Sequence, residues 1–385
     1  MNTLTWLTRL IAHDTTSRYS NLALINEVAD FLNHQGLQPW LAHDASGQKA
    51  NLFVTLPAAN GSTAGGLIFS GHTDVVPVDG QDWQTSPFCA TVRDGLVYGR
   101  GAADMKGFIA AVLAAVPQMK AAKLTRPLHI ALSYDEEIGC LGAPVMIDAL
   151  QQRGLTPEYC IVGEPTLMQM VVAHKGIHTF TCRVQGKAAH SSLTPQGVNA
   201  IEYAAQLIGF IQQLAQRLQH DYAQDAAFDV PFSTLSVNTI QGGIASNIVP
   251  QLCEFGFDYR NLPHMQPSDV IEPIQHYINS VLLPQMHAVD TQCGIELHHH
   301  AAVPAMPATE AAALWQLIGQ LVGSHQRHKV AYATEGGQFT QAGIATVICG
   351  PGSIEQAHRA NEFVTLTQLA RCDDFLNQMI LAQTR

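Results

Sequence analysis

Two strings, SGHTDVVP at 70–77 and GRGAADMKG at 99–107, each end an apolar run and leave metal-binding side chains on the loop that follows. The first carries His72 and Asp74, the second Asp104. A third apolar run, HIALSYD at 129–135, ends in the acidic pair Glu136 and Glu137, and a fourth, YCIVGEPT at 159–166, presents Glu164. Far downstream, QAHRANE at 356–362 supplies His358. Imidazole and carboxylate donors of this kind suit a hydrolase that uses two divalent metal ions to activate water and polarise a carbonyl.

Each residue also has an ordinary reading. An acidic pair often marks a solvated helix start, where negative charge suits the helix dipole. With 18 histidines in the chain, some His-x-Asp pairs arise by chance. What sets this group apart is joint occurrence at the ends of apolar runs, with Gly or Pro close by. The run His298–His300 is the contrast: it follows a strand pattern without carboxylate partners and reads as a surface strand.

The elements that must carry these residues follow from periodicity. Over the first 175 residues, helix-like segments at 3–12, 21–36, 104–121 and 139–152 alternate with apolar strands near 51–56, 66–71, 127–134 and 159–163. Alternation with wholly apolar strands predicts an α/β fold, a sheet covered by helices on both faces. Ligands in such folds collect at the carboxyl ends of strands, and the candidates stand there. From 177 to 288 the texture changes to strand, helix, strand, strand, helix: 178–186, 197–219, 233–241, 252–259 and 267–283. This order predicts an inserted α+β sandwich. The expected organisation is therefore a catalytic domain in two parts, 1–176 and 289–385, around an insert at 177–288. In the last part, helices near 310–323 and 365–382 surround a strand at 345–350. A length of 385 residues fits two domains.

Bulk properties narrow the class. A net charge of −11, from 20 Lys+Arg against 31 Asp+Glu, argues against nucleic acid or an anionic membrane as partner. The eight cysteines are scattered without a CxxC pair, several inside apolar runs, which predicts free thiols in a reducing compartment. The opening MNTLTWLTRLIAH reads as a short amphipathic helix, so the expectation is no signal peptide, no membrane span and a cytoplasmic protein.

Taken together, H-T-D-V-V-P, G-x-x-D-M-K-G, the Glu-Glu pair, G-E-P-T and A-H-x-x-N-E resemble the zinc-dependent amidohydrolases of the M20 family over the whole chain. That resemblance implies that Asp104 bridges two metal ions, most readily zinc, with cobalt possible. His72 and Glu164 would bind one ion, Glu137 and His358 the other. Glu at 164 favours the carboxypeptidase and deacetylase branch. Asp74, two residues beyond His72, is then placed to accept the second ring N–H and fix the tautomer. Glu136, free of metal, becomes the general base.

The inserted segment adds its own resemblances. GKAAHSS at 186–192 is similar to the family's lid motif, in which the histidine reaches the site of a neighbouring subunit; His190 would then stabilise the oxyanion, its ordinary reading being a capping or strand-end histidine. The same resemblance implies a homodimer. GGIASNIVP at 242–250 and DYRNLP at 258–263 resemble segments that bind the substrate's α-carboxylate through Asn247 and Arg260. YATEGGQFTQAG at 332–343, HKG at 174–176 and GPGSIEQAH at 350–358 resemble the N-acetylornithine deacetylase branch. Glu335 would there pair with a substrate ammonium, or else serve at a helix start. The implied reaction is hydrolysis of N2-acetyl-L-ornithine to acetate and L-ornithine, in arginine biosynthesis. Succinyl-diaminopimelate desuccinylase or another N-acyl-amino-acid hydrolase is the enzymatic alternative. A non-catalytic binding protein that kept the scaffold is the other.

Overall fold

The computed structural model describes residues 1–308 and 311–384. The chain divides into two compact units, one formed by residues 1–173, 306–329 and 334–385, the other by 174–305 and 330–333.

The first unit is built on an eight-stranded mixed sheet in the order Trp40–His43, Ala50–Leu56, Leu128–Ser133, Leu67–His72, Tyr159–Pro165, Ala345–Gly350, Val171–His174 and His328–Val330. The central strand Leu67–His72 runs parallel to both Leu128–Ser133 and Tyr159–Pro165, and the latter runs parallel to Ala345–Gly350. All residues of Leu67–His72 and Leu128–Ser133 are buried, as strands covered on both faces require. The Ala-rich helix Lys106–Ala121 packs on this sheet and against Thr3–Ile11 and Leu366–Ala382. The helix Gly142–Gln152 packs on Ala50–Leu56 and Trp40–His43. At Gly163 a Cβ would stand 2.0 Å from the Phe108 ring, so glycine here lets helix and strand close up just before Glu164.

Because the central strands are parallel, their carboxyl ends share one edge. His72 pairs in register with Ser133, so His72 and the Glu136–Glu137 loop leave the sheet side by side. Several short elements escaped the sequence reading, among them Trp40–His43, Val171–His174, His328–Val330 and the small sheet formed by Thr91–Arg93, Leu96–Tyr98 and Phe363–Thr365. Short strands leave little periodicity to read. The helix expected near 310–323 is present as Ala312–Val322; residue 310 lies outside the described residues.

The second unit is a four-stranded antiparallel sheet in the order Thr234–Gly242, Leu252–Arg260, Ile177–Gln185 and Gly294–Val303. Its apolar side holds Phe180, Cys182, Val184, Phe255 and Phe257 against Leu207, Ile211 and Leu214 of the helix Ala200–His220. The domain boundary expected at 288/289 is corrected here to 305/306. Gly294–Val303 pairs with Ile177–Gln185 over its whole length and so belongs to the small sheet. The alternating pattern correctly marks a strand at His298–His300 but carries no information on which sheet it joins; His298 in fact faces Glu296 at 3.3 Å.

All eight cysteines are free thiols. Among the described residues, no helix is long and apolar enough to cross a membrane.

Candidate metal centre

His72 ends its strand with both ring nitrogens committed. Nδ1 lies 2.9 Å from the backbone carbonyl oxygen of Asp74, while Nε2 lies 3.0 Å from Asp104 Oδ1 and 3.8 Å from Glu164 Oε1. With Nδ1–H donating to a carbonyl, the Nε2 lone pair faces the carboxylates, the tautomer a metal ligand needs. The second oxygen of Asp104 lies 3.5 Å from His358 Nε2, and that atom is 2.9 Å from Glu137 Oε2. Asp104 thus stands between two histidines, one oxygen toward each.

Asp74 works differently from expectation. Its carboxylate is 3.7 Å from His72 Nδ1, beyond hydrogen-bond reach, and its own backbone carbonyl orients the ring instead. The carboxylate accepts from the backbone N–H of Glu136 at 3.0 Å and of Glu137 at 3.2 Å, and from the Ser17 hydroxyl at 2.7 Å. Asp74 therefore positions the acidic pair rather than the imidazole. The Cys140 thiol donates to Glu136 Oε1 at 3.4 Å.

The electrostatics show a cluster short of positive charge. Burial, reinforced by Asp104, pushes Glu137 up to about 7. Burial and neighbouring carboxylates likewise hold Glu164 well above the usual range, and burial together with Glu137 and Asp104 does the same for Glu136. Burial opposes protonation of His72, yet the hydrogen bond to Asp104 and the negative charge of the neighbouring carboxylates raise it well above the usual value. Hydrogen bonds to Asp104 and Glu137 push His358 up to about 10. Glu164 Oε1 is buried without a hydrogen-bond partner. Bound cations would relieve each of these strains, and the donors fit: one atom each from His72, Glu136 and Glu164, and from His72, Asp104 and Glu137, lie within 4.8 Å of one another.

Glu335 stands at a helix start, as one of its two expected readings has it. It precedes the short helix Gly336–Gln341 and is only 1% exposed, near the Ser70 and Ser133 hydroxyls. Neither carboxylate oxygen has a hydrogen-bond partner, and burial pushes the group up to about 7. The helix start leaves this side chain enclosed, close enough to His72 and Asp74 for their charges to act on it.

The remaining candidates lie in the second unit. His190 caps the short helical turn Ser191–Gln196, its Nδ1 accepting from the Ser192 N–H, and its side chain is exposed. Residues 190 and 247 are neighbours: Ser191 N–H donates to Asn247 O at 3.0 Å, and His190 forms a bridge with Ile248. Arg260 sits elsewhere, with Nε 3.1 Å from Asp258 Oδ2. Asn247 lies in the loop before Leu252, whereas Arg260 ends the strand Leu252–Arg260. At a rise of about 3.4 Å per residue those strand ends are roughly 27 Å apart. Asn247 and Arg260 of one chain therefore stand toward opposite ends of the small sheet.

Two residues that the sequence reading passed over bond to the loops that carry Asp104 and His358. Glu362 and Arg100 are fully buried and joined at 2.8 Å. Both lie inside strings quoted for their neighbours, QAHRANE and GRGAADMKG, and a charged residue next to a ligand was the available signal.

The family model described as peptidase family M20/M25/M40 matches residues 68–382. Acetylornithine deacetylase of Pasteurella multocida (strain Pm70) is 36% identical over 362 residues, covering 94% of this chain and 91% of that protein. Acetylornithine deacetylase of Edwardsiella ictaluri (strain 93-146) is 36% identical over 369 residues, covering 96% and 93%. Among solved structures, a tripeptidase from Staphylococcus aureus superimposes with a TM-score of 0.77 at 19% identity, over 100% of this chain and 98% of that one.

Proposed function

The chain belongs to peptidase family M20/M25/M40, and on that premise we propose that it is a dinuclear metal hydrolase that converts N2-acetyl-L-ornithine to acetate and L-ornithine. The observation that carries the reading is Asp104, with one oxygen toward His72 and the other toward His358. Deacetylases 36% identical over nearly the whole chain supply the substrate.

Asp104 would serve both ions, His72 and Glu164 one, Glu137 and His358 the other. When bound, two divalent ions, zinc or cobalt, lower the pKa of water from 15.7 toward about 7 and polarise the acyl carbonyl. Glu136 takes the proton from the attacking water and delivers it to the departing amine, a role that contributes roughly 10²–10⁴-fold. Arg260 reads the α-carboxylate as a charged donor. His190 and Asn247, adjacent to each other and about a strand's length from Arg260, reach the site of a second copy in a homodimer. We place the reaction in arginine biosynthesis in the cytoplasm.

The test is release of primary amine by the metal-loaded protein from N-acetylornithine, N-succinyl-diaminopimelate and N-acetylmethionine. The highest kcat/KM is expected for N-acetylornithine. Faster desuccinylation would replace the substrate, and metal binding without any turnover would leave only a binding protein.

A further inference from the structure

We infer that Glu362 is a positioning residue that, with Arg100, holds Asp104 and His358 in mutual register; the inference rests on the two-metal reading above. Glu362 has no solvent exposure. Its Oε1 accepts from the backbone N–H of Ala103 at 2.9 Å and of Asp104 at 3.0 Å. Its Oε2 accepts from the Gly101 N–H at 2.9 Å and from Arg100 Nη1 at 2.8 Å. One carboxylate thereby gathers the whole loop that presents Asp104.

Arg100 extends the grip to two further loops. Nη1 donates to the Arg359 carbonyl at 3.2 Å, Nη2 to Gln81 Oε1 at 2.5 Å, and the guanidinium lies 5.1 Å over the Trp83 ring. Gln81 in turn donates through Nε2 to the His358 carbonyl at 2.8 Å. The loops carrying Asp104 and His358, more than 250 residues apart in sequence, meet at a single buried ion pair. Glu362 is four residues from His358 and bonded to the N–H of Asp104, so it acts on both ligands at once.

A merely structural ion pair would stabilise the fold without preferring either metal. A positioning pair has a different signature. His72 and Glu164 stand on strand ends that the sheet itself aligns, whereas the His358 loop is held by bonds to Gln81 and Arg100, by Glu362, and by Asn361 to the Gln84 N–H and the Asp82 carbonyl. Asp104 would serve both ions and His358 only one, so the ion held by Glu137 and His358 should weaken more than its neighbour when Glu362 is changed. Residues that orient ligands from behind typically account for 10–100-fold in metal affinity.

The experiment is calorimetric titration of metal-free protein with zinc, alongside its melting temperature without metal. Wild type should bind two ions per chain. Glu362→Gln should bind both ions more weakly than wild type, with the loss for one at least about tenfold greater than for the other. Glu362→Asp, one methylene short of the loop, should fall between. Equal weakening of both ions, or wild-type affinity for both, overturns the positioning role. If wild type itself binds fewer than two ions, the two-metal reading fails instead. Should Glu362→Gln not fold, Gln81→Ala carries the test, because it cuts the tether to His358 and leaves the buried pair intact. It must weaken the same single ion, and unchanged affinity overturns the inference.

Discussion

His358 Nε2 lies 2.9 Å from Glu137 Oε2, across 221 residues of sequence. A residue from the last part of the chain thus joins a cluster otherwise built from the first, and the two histidines of that cluster are held in different ways. His72 and Glu164 come from strands aligned by the parallel sheet. His358 arrives on a loop held by side chains.

Glu136→Gln should keep two metal ions per chain while losing about 10²–10⁴-fold in kcat. Metal content by atomic emission beside steady-state kinetics checks this. Loss of an ion from the variant would make Glu136 a ligand, as its closeness to His72 and Glu164 permits.

Asp104→Ala should lose at least one ion and nearly all activity, because the cations lose the carboxylate they share. Full occupancy at a normal rate would reject the bridging role. The same metal analysis decides it.

His190→Ala dimers mixed with Glu136→Gln dimers should recover activity once subunits exchange, since each hybrid then contains one intact site. Exchange is followed by native mass spectrometry. No recovery after proven exchange would return His190 to its capping of Ser191–Gln196.

Arg260→Ala should lower kcat/KM about ten- to a hundredfold, the equivalent of roughly 1.5–3 kcal/mol for a charged hydrogen bond. N-acetylornithine and N-acetylmethionine should suffer alike, because both carry the α-carboxylate. A loss confined to one of them would show that Arg260 reads the side chain.

Glu335 should make the metal-free protein less stable as pH rises. Its carboxyl sits near 7 in the folded chain against an ordinary 4.5, so across that window the folded state binds more protons than the unfolded one. Stability therefore falls between those values, by about 3 kcal/mol at most. Glu335→Gln removes the penalty, so its denaturant midpoint should exceed wild type by more at pH 8 than at pH 5. An equal offset at both pH values would exclude a buried, proton-holding Glu335.

The sequence alone was enough to single out the residues that the fold gathers into one cluster. His72, Asp104, Glu137 and Glu164 each follow an apolar run, and such runs become buried strands or lead into a buried helix wherever the chain goes. That is a local property, recorded in neighbouring residues, and His358 was legible from the motif around it. Periodicity also located the main helices and strands, because it reports which face of an element meets a core.

What periodicity does not report is which core, or which distant group, and tertiary structure decided those. Gly294–Val303 joined the small sheet because Ile177–Gln185 offered a free edge. Asp74 turned its carboxylate to the Glu136 and Glu137 amides because the register of His72 with Ser133 brought that loop within reach. Glu335 was buried, His190 set beside Asn247 with Arg260 a strand away, and Glu362 folded around the Asp104 loop. Each depends on hydrogen bonds or pairings between residues far apart in the chain, whose partners are chosen only when sheet order and loop paths are in place.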